Sequence, residues 1–264
     1  FQLAMEAGGD FADDAAMGLG YASMKSEQPE QAVKDFQQVV GQFPKSPMAG
    51  KAMLECGRAL YQCRQFESAA QQLDVLLERS TESDEIRWSG LELRGLAYLD
   101  QGKTEAAARD FRDAIQIVEG SDDQGRMYYS LAEAYADGGQ WEEALDSYTK
   151  SQAKSEDNTP RRGEALYGRC LSLHRLTRYA ESNELVTQFL EAFGDHELAT
   201  TARFALAENL FGLKQYSAAD TAYKEIPEDH KLSGKSVFKA AWCSYLSGDY
   251  KDAAERFGAI ANSK

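Results

Sequence analysis

A short fragment recurs along this chain at a nearly constant spacing: a small residue, followed four positions later by an aromatic or large apolar one. Its copies are Ala32 to Phe36, Ala69 to Leu73, Ala107 to Phe111, Ala144 to Tyr148, Ser182 to Val186, Ala219 to Tyr223 and Ala253 to Phe257. Their first residues lie 37, 38, 37, 38, 37 and 34 positions apart. A fixed period of this size is typical of repeat proteins, in which each unit packs on its neighbours and no single central core exists.

One repeat shows what each unit contains. Tyr128, Leu131 and Tyr135 follow one another at helical spacing. The stretch 137–140 contains two glycines and breaks the helix, because glycine adopts the left-handed conformation at little cost. A second helical stripe begins at Trp141. The unit is therefore predicted to be helix, tight turn, helix, and no stretch of the chain alternates with the period of two that indicates a β-strand.

Each first helix also carries a small residue 12 positions before the small residue of the second helix. These residues are Gly20, Gly57, Gly95, Ala132, Cys170, Ala207 and Ala241. We expect two helix backbones to approach each other closely there. Turn glycines are evident in three units, at Gly102, Gly139 and Gly248.

This pattern resembles the tetratricopeptide repeat family, in which an aromatic, Leu-Gly and Tyr mark the first helix and Ala, an aromatic and Ala mark the second. The fourth unit carries these positions as Tyr128, Leu131-Ala132, Tyr135, Ala144 and Tyr148, with Ser151 for the last alanine. The departures are Arg94 and Arg169 at the usual leucine, and Ser182 and Val186 at the usual alanine and aromatic. The resemblance implies an all-α fold, a right-handed superhelix (solenoid) of about seven helix-turn-helix units.

We predict one continuous array over residues 1–264, with residues 1–9 as the tail of a preceding unit. The predicted units are 10–46, 47–82, 83–120, 121–157, 158–194, 195–229 and 230–264. No polar capping helix follows the last unit, although solenoids need polar ends for solubility. This indicates either a segment of a longer protein or ends that are covered by self-association into a homo-oligomer.

The charge and cysteine content restrict the partners and the compartment. A net charge of −14 argues against nucleic acid and anionic membranes as partners, and no apolar run is long enough to span a membrane. Cys56, Cys63, Cys170 and Cys243 form no CxxC pair, and unpaired thiols favour a reducing, cytoplasmic compartment. The long units, one of which closes with 43–46, instead resemble a bacterial cell-envelope subgroup of the family, which implies the periplasm.

Nothing in the sequence predicts catalysis, a cofactor or a metal site. His174, His196 and His230 have no second histidine or cysteine at metal-ligand spacing. Nucleophile-elbow, phosphate-loop, zinc-protease and dinucleotide motifs are absent. A helical array also presents a shallow surface, whereas small-molecule sites are enclosed. We therefore expect a protein that is not an enzyme.

The resemblance implies that first helices line a concave groove that binds a peptide or protein segment. The groove residues carried over are Tyr129, Tyr167, Leu171, His174, Phe204, Glu208, Phe211, Phe238, Trp242 and Tyr245. Large aromatic side chains are frequent hot spots of binding. The predicted function is a non-catalytic protein-interaction scaffold. The alternatives are a self-assembling array with an idle groove, and a targeting arm of a larger multidomain protein.

A group of basic residues interrupts the acidic chain and offers a second candidate site. It consists of Arg161, Arg162, Arg169, Arg175 and Arg178, together with His174. Spread over about five helical turns, these side chains do not share one face. Two interpretations remain open. These residues form a site for an acidic peptide, or they belong to a solvated surface and pair with neighbouring carboxylates.

Overall fold

The computed structural model describes residues 11–79, 82–156 and 159–262, and all its regular elements are helices. The predicted tail at 1–9 lies outside these residues. The prediction of an all-α array of paired helices is confirmed. None of the described helices combines the length and the apolar character that crossing a membrane requires.

The helices divide into two compact units, Phe1–Gly138 and Gly139–Lys264. The first unit contains α1 (Ala12–Lys25), α2 (Pro29–Gln42), α3 (Ala49–Gln62), α4 (Phe66–Leu77), α5 (Asp84–Asp100), α6 (Thr104–Ile117) and α7 (Ser121–Asp137). Each helix packs against the next one along the chain. Whether 1–264 forms a single array stays a prediction.

The second unit contains seven helices as well. They are α8 (Trp141–Lys154), α9 (Pro160–Arg175), α10 (Tyr179–Ala192), α11 (Ala199–Gly212), α12 (Tyr216–Lys224), α13 (Ser233–Leu246) and α14 (Tyr250–Asn262). Consecutive helices pack on one another here too. The shortest is α12, with 9 residues, and it belongs to the unit that is followed by the shorter spacing of 34 positions.

The recurring fragment forms the core. Ala107 and Phe111 on α6 are both completely buried, and so are Ala32 and Phe36 on α2. A spacing of four residues places both side chains on one face of a helix, and that face turns to the neighbouring helices. Burying a large apolar side chain contributes about 1.5–3 kcal/mol, so the repeat in the sequence is a repeat of core packing.

The glycines among the small residues of the first helices have a different role from the predicted one. A Cβ added at Gly95 would lie 2.8 Å from the ring of Phe111, and one added at Gly57 would lie 3.0 Å from Leu73. The small residue therefore makes room for the large side chain of the second helix. At these two glycines the nearest atoms are side-chain atoms and not the backbone of another helix.

The turns inside the helix pairs share one backbone conformation. Gly102, Gly139 and Gly248 have positive φ angles of 71°, 74° and 89°, as their place in the sequence predicts. The same conformation occurs at four residues that are not glycine, Glu27, Arg64, Thr177 and Lys214, with φ between 55° and 61°. It lets the following N–H reach back to the first helix, as Arg178 N–H does to the Leu173 carbonyl at 2.9 Å.

Replacing Thr177 by glycine is expected to stabilise the second unit by about 1 kcal/mol. A β-branched residue at a φ of 58° is strained, and the left-handed region costs L-residues about 1–2 kcal/mol that glycine avoids. Urea denaturation followed by circular dichroism measures the change. Thr187→Gly, on the exposed face of α10, is the control, and it should lose a few tenths of a kcal/mol, about the difference in helix propensity. A loss of stability in Thr177→Gly would contradict the argument.

Candidate peptide-binding groove

Nine of the ten predicted groove residues lie on three first helices of the second unit. They are Tyr167, Leu171 and His174 on α9, Phe204, Glu208 and Phe211 on α11, and Phe238, Trp242 and Tyr245 on α13. The spacing of four and then three residues places each set on one helix face. Tyr129 lies on α7 in the first unit, where its side chain is half-buried. Its assignment to a groove stays a prediction.

The residues on α13 form an exposed aromatic cluster with two residues of α14. Phe238, Trp242 and Tyr245 are 44%, 39% and 48% exposed. The Trp242 ring lies 5.5 Å from Tyr245 and 5.4 Å from Phe257, and Tyr245 lies 5.4 Å from Tyr250. All three contacts have the edge-to-face geometry that aromatic pairs prefer. We call Phe238, Trp242, Tyr245, Tyr250 and Phe257 the aromatic cluster.

Phe204 is placed differently from the other predicted groove residues. It is only 7% exposed, and its ring lies 5.7 Å from the buried ring of Tyr223. The ammonium group of Lys235 lies 5.0 Å from its centre on the open side. Phe204 therefore belongs mainly to the core of the second unit and supports the surface from below.

Glu208 forms a charged pair that joins α11 to α13, and Phe211 lies beside this pair. The Glu208 carboxylate is 3.4 Å from the ammonium group of Lys239 and accepts a hydrogen bond from the Tyr223 hydroxyl. Burial, together with that hydrogen bond, raises the pKa of Tyr223. Lys239 also lies 4.7 Å from the centre of the Phe211 ring, a cation–π contact. The contacts of Lys239 with Glu208 and Phe211 connect α13 to α11.

The stripe on α9 is half-buried. The ring of Tyr167 lies 5.9 Å from that of Phe189, and burial raises the pKa of Tyr167 to about 12, so its hydroxyl stays protonated. The imidazole of His174 lies 5.5 Å from the ring of Tyr179 and 2.6 Å from the side-chain oxygen of Asn209 on α11. The α9 stripe thus contains one largely apolar position, Tyr167, and one polar position, His174.

Four residues of the arginine group, Arg162, Arg169, Arg175 and Arg178, contact separate partners. Arg162 donates to the carbonyls of Gln152 and Ser155, where α8 ends, at 3.3 Å each. Arg169 donates to the side chain of Gln152. Arg175 lies over the Trp141 ring at 5.4 Å, and Arg178 pairs with Glu181 and Glu142 at 2.6 and 3.5 Å. These separate partners favour the interpretation as a structural and solvated surface.

The described residues contain no group of three or more histidine, cysteine or acidic side chains that could hold a metal ion. Cys56, Cys170 and Cys243 are buried, and burial raises their pKa values to about 11, 12 and 11. A thiol that stays protonated at neutral pH is a poor nucleophile.

Several neighbours of the predicted groove residues were missed by sequence reasoning. Tyr250 and Phe257 complete the aromatic cluster from α14, and Lys239 and Asn209 contact predicted groove residues from the next first helix. Phe257 is the large residue of the recurring fragment in the last repeat. The sequence of one helix contains no signal that shows which side chains of the next helix its own residues will contact.

Comparisons with known proteins agree with this architecture. A family model described as tetratricopeptide repeat matches residues 17–84 and 92–160, together more than half of the chain. A search of curated protein sequences finds no significant match.

Solved structures share the fold at low identity. A tetratricopeptide repeat protein from Parabacteroides merdae is 14% identical with a TM-score of 0.66, over 94% of this chain and 92% of that one. The C-terminal part of a repeat protein from Cytophaga hutchinsonii is 12% identical with a TM-score of 0.71, over 91% and 92%. A signal-transduction ATPase with a tetratricopeptide repeat sensor from Pyrococcus horikoshii is 14% identical with a TM-score of 0.72, over 98% of this chain and 42% of that one.

The paired helices, the repeated small and large core positions and the family match lead to one conclusion. Proteins of this kind are generally non-catalytic scaffolds for protein–protein interaction. This chain belongs to the tetratricopeptide repeat family.

Proposed function

We propose that the second unit binds a peptide or an extended protein segment along the face formed by α9, α11 and α13. The exposed aromatic cluster is the observation that carries this proposal. Three adjacent rings on α13 are each more than a third exposed, and monomeric proteins rarely leave contiguous large apolar side chains in water without a binding role. Covering these rings removes apolar area from water, which favours association.

The cluster is also preorganised. Trp242 is held on two sides, by Tyr245 at 5.5 Å and by Phe257 at 5.4 Å. A side chain that neighbours already hold loses little rotamer freedom when a ligand covers it, so more of the interaction energy contributes to affinity. Trp242 and Tyr245 are therefore the anchor residues of the proposed site.

Charged groups border the apolar anchors and would select the ligand. Lys235 lies above the ring of Phe204 and Lys239 above that of Phe211, while Glu208 pairs with Lys239. Such a border gives orientation and specificity more than affinity. We expect the bound segment to combine apolar side chains, which cover Trp242 and Tyr245, with polar groups opposite α11.

The test is selection of ligands from a random peptide library displayed on phage, followed by affinity measurements on synthetic peptides. The double variant Trp242→Ala with Tyr245→Ala should bind the selected peptides at least about tenfold more weakly, because truncated hot-spot residues cost more than about 1–2 kcal/mol. Val237→Ala is the control, since Val237 is 52% exposed on the same helix but lies outside the cluster. Circular dichroism verifies that both variants fold.

Equal affinity of the parent and the double variant would overturn the proposal. Failure to select any peptide, together with a mass that rises with concentration in light scattering, would favour the self-assembling array. In that case the double variant would be expected to change the mass rather than peptide affinity.

A further inference from the structure

Two of the three histidines have the same structural role at the start of a first helix. The Nδ1 atom of His196 accepts a hydrogen bond from the Leu198 N–H at 3.2 Å, before α11, and Nδ1 of His230 does so from Leu232 at 3.2 Å, before α13. The Ser46 hydroxyl oxygen accepts from the Met48 N–H in the same way before α3. Because Nδ1 accepts in both neutral imidazoles, their ring proton lies on Nε2.

His174 lies at one end of a buried chain of hydrogen bonds that joins three helices. Its Nδ1 is 2.6 Å from Oδ1 of Asn209, the Asn209 amide nitrogen is 2.8 Å from the Ser182 hydroxyl, and that hydroxyl is 2.8 Å from the Cys170 carbonyl. Asn209 and Ser182 are completely buried. A buried polar group without a partner costs about 1–3 kcal/mol. Each polar group in this series of hydrogen bonds therefore needs a hydrogen-bond partner.

The direction of the chain follows from its far end. The Cys170 carbonyl can only accept, so the single hydroxyl proton of Ser182 is donated to it. Ser182 must then accept from the next group, which has to be the amide NH₂ of Asn209. This turns the Asn209 carbonyl oxygen toward His174, and an oxygen that can only accept requires a proton on Nδ1 of the imidazole.

The opposite amide orientation leaves an unfavourable contact. If Asn209 presented its oxygen to Ser182, the hydroxyl proton would have to serve both that oxygen and the Cys170 carbonyl at 2.8 Å. The Ser182 hydroxyl oxygen would then face either the Asn209 oxygen or the Cys170 carbonyl oxygen without a proton between them. The network therefore fixes the tautomer of His174, and it is opposite to that of His196 and His230.

We propose that His174 is a preorganised hydrogen-bond acceptor of the peptide-binding face. With the proton held on Nδ1 by Asn209, the neutral imidazole has its lone pair on Nε2. Among residues 11–79, 82–156 and 159–262, Nε2 has no hydrogen-bond partner. The ring is half-buried on the same stripe as Tyr167 and Leu171, so the ligand group that fits is a hydrogen-bond donor such as a peptide N–H, a side-chain amide or a hydroxyl.

The assignment of the tautomer has a direct spectroscopic test that needs no ligand. Long-range ¹H–¹⁵N correlation spectra of the intact chain, recorded where the imidazoles are neutral, distinguish the protonated ring nitrogen from the other. We expect a proton on Nδ1 in His174 and on Nε2 in His196 and His230. Ser182→Ala should weaken the preference in His174 and leave the other two rings unchanged. A proton on Nε2 in the parent His174 would overturn the proposal.

The ligand-reading role rests on the proposed function and has its own test. With peptides selected from the phage library, His174→Phe keeps an aromatic ring but removes the acceptor, and we expect affinity to fall about fivefold to tenfold. His196→Asn, which retains a cap-forming side chain, is the control. If the affinity is unchanged in His174→Phe but falls in the double variant of Trp242 and Tyr245, the role of His174 is refuted and the proposed groove is supported. If no peptide is selected, both proposals fail.

Discussion

Replacing Arg94 by leucine is expected to destabilise the first unit by about 3–5 kcal/mol, although leucine is the usual residue at this position of the repeat. The reason is the carboxylate that the arginine neutralises. Removing one partner of a buried ion pair leaves an uncompensated charge, which costs this much. Among the variants proposed for this chain, this one has the largest expected effect on stability.

The geometry around Arg94 explains the size of the effect. Its guanidinium group binds the Asp110 carboxylate with two hydrogen bonds of 2.7 Å, and its third contact is Asp74 at 2.6 Å. Asp110 is 4% exposed, and burial raises its pKa although Arg94 acts in the opposite direction. Paired forks of this kind are among the stronger hydrogen-bond arrangements in proteins. Without Arg94, Asp110 would have to take up a proton or expose itself to water.

A double variant separates the ion pair from the packing of Arg94. Adding Asp110→Ala to Arg94→Leu removes the stranded carboxylate, and we expect most of the lost stability to return. Alanine fits, because Ala222 occupies the equivalent buried position on α12, three residues after Ala219. Hydrogen exchange resolves the two units, since helical arrays can unfold in parts. Protection should be lost on α5 and α6 in the single variant, and equal losses in both variants would refute the argument.

Replacing Gly168 by alanine is expected to destabilise the second unit by about 2 kcal/mol. The new Cβ would lie 2.5 Å from Cζ and 2.6 Å from Cε1 of the Tyr148 ring, a distance that forces the ring or the helix to move. Overpacking of this kind costs about 1–3 kcal/mol. The loss should exceed the gain of up to about 1 kcal/mol that alanine normally brings to a helix interior.

Replacing a glycine by alanine is expected to raise the stability at another position in this unit. A Cβ at Gly258 on α14 meets nothing within 4 Å, so Gly258→Ala should stabilise by about 0.5–1 kcal/mol. Urea denaturation of both variants gives the comparison. Combining Gly168→Ala with Tyr148→Leu should relieve the contact and recover part of the loss. A neutral Gly168→Ala variant would mean that the Tyr148 ring moves away at little cost.

The aromatic cluster shows where sequence reasoning about the candidate site stops. The choice of Phe238, Trp242 and Tyr245 follows from the family resemblance, and their exposure agrees with a surface stripe. Phe204 occupies the equivalent position of the preceding repeat but is buried against Tyr223. The rings of Phe204 and Phe238 both pack on an aromatic ring of the next helix, Tyr223 and Phe257 respectively. Phe204, however, is also covered by Lys235 of α13. A pattern within one helix does not contain that information.

The amino-acid sequence by itself determined the helix pairs, their period and the residues of their core. Ala107 and Phe111 illustrate this, because a small and a large apolar residue four positions apart are sufficient to specify a buried helix face. Three turns with glycine were equally predictable, since a positive φ favours that residue. The turn at Thr177 was not, because its conformation is imposed on a residue that does not prefer it.

Only the tertiary structure decided what the unusual residues of the repeat contact. Arg94 on α5 stands where the family pattern has leucine, and it binds Asp110 on α6 and Asp74 on α4. Ser182 stands where the pattern has alanine, and it links the Cys170 carbonyl to Asn209, 27 residues further along the chain. A hydrophobic pattern is local and repeats with the helix, whereas hydrogen bonds and ion pairs need a particular partner at a particular distance. That partner is fixed only when the helices are packed.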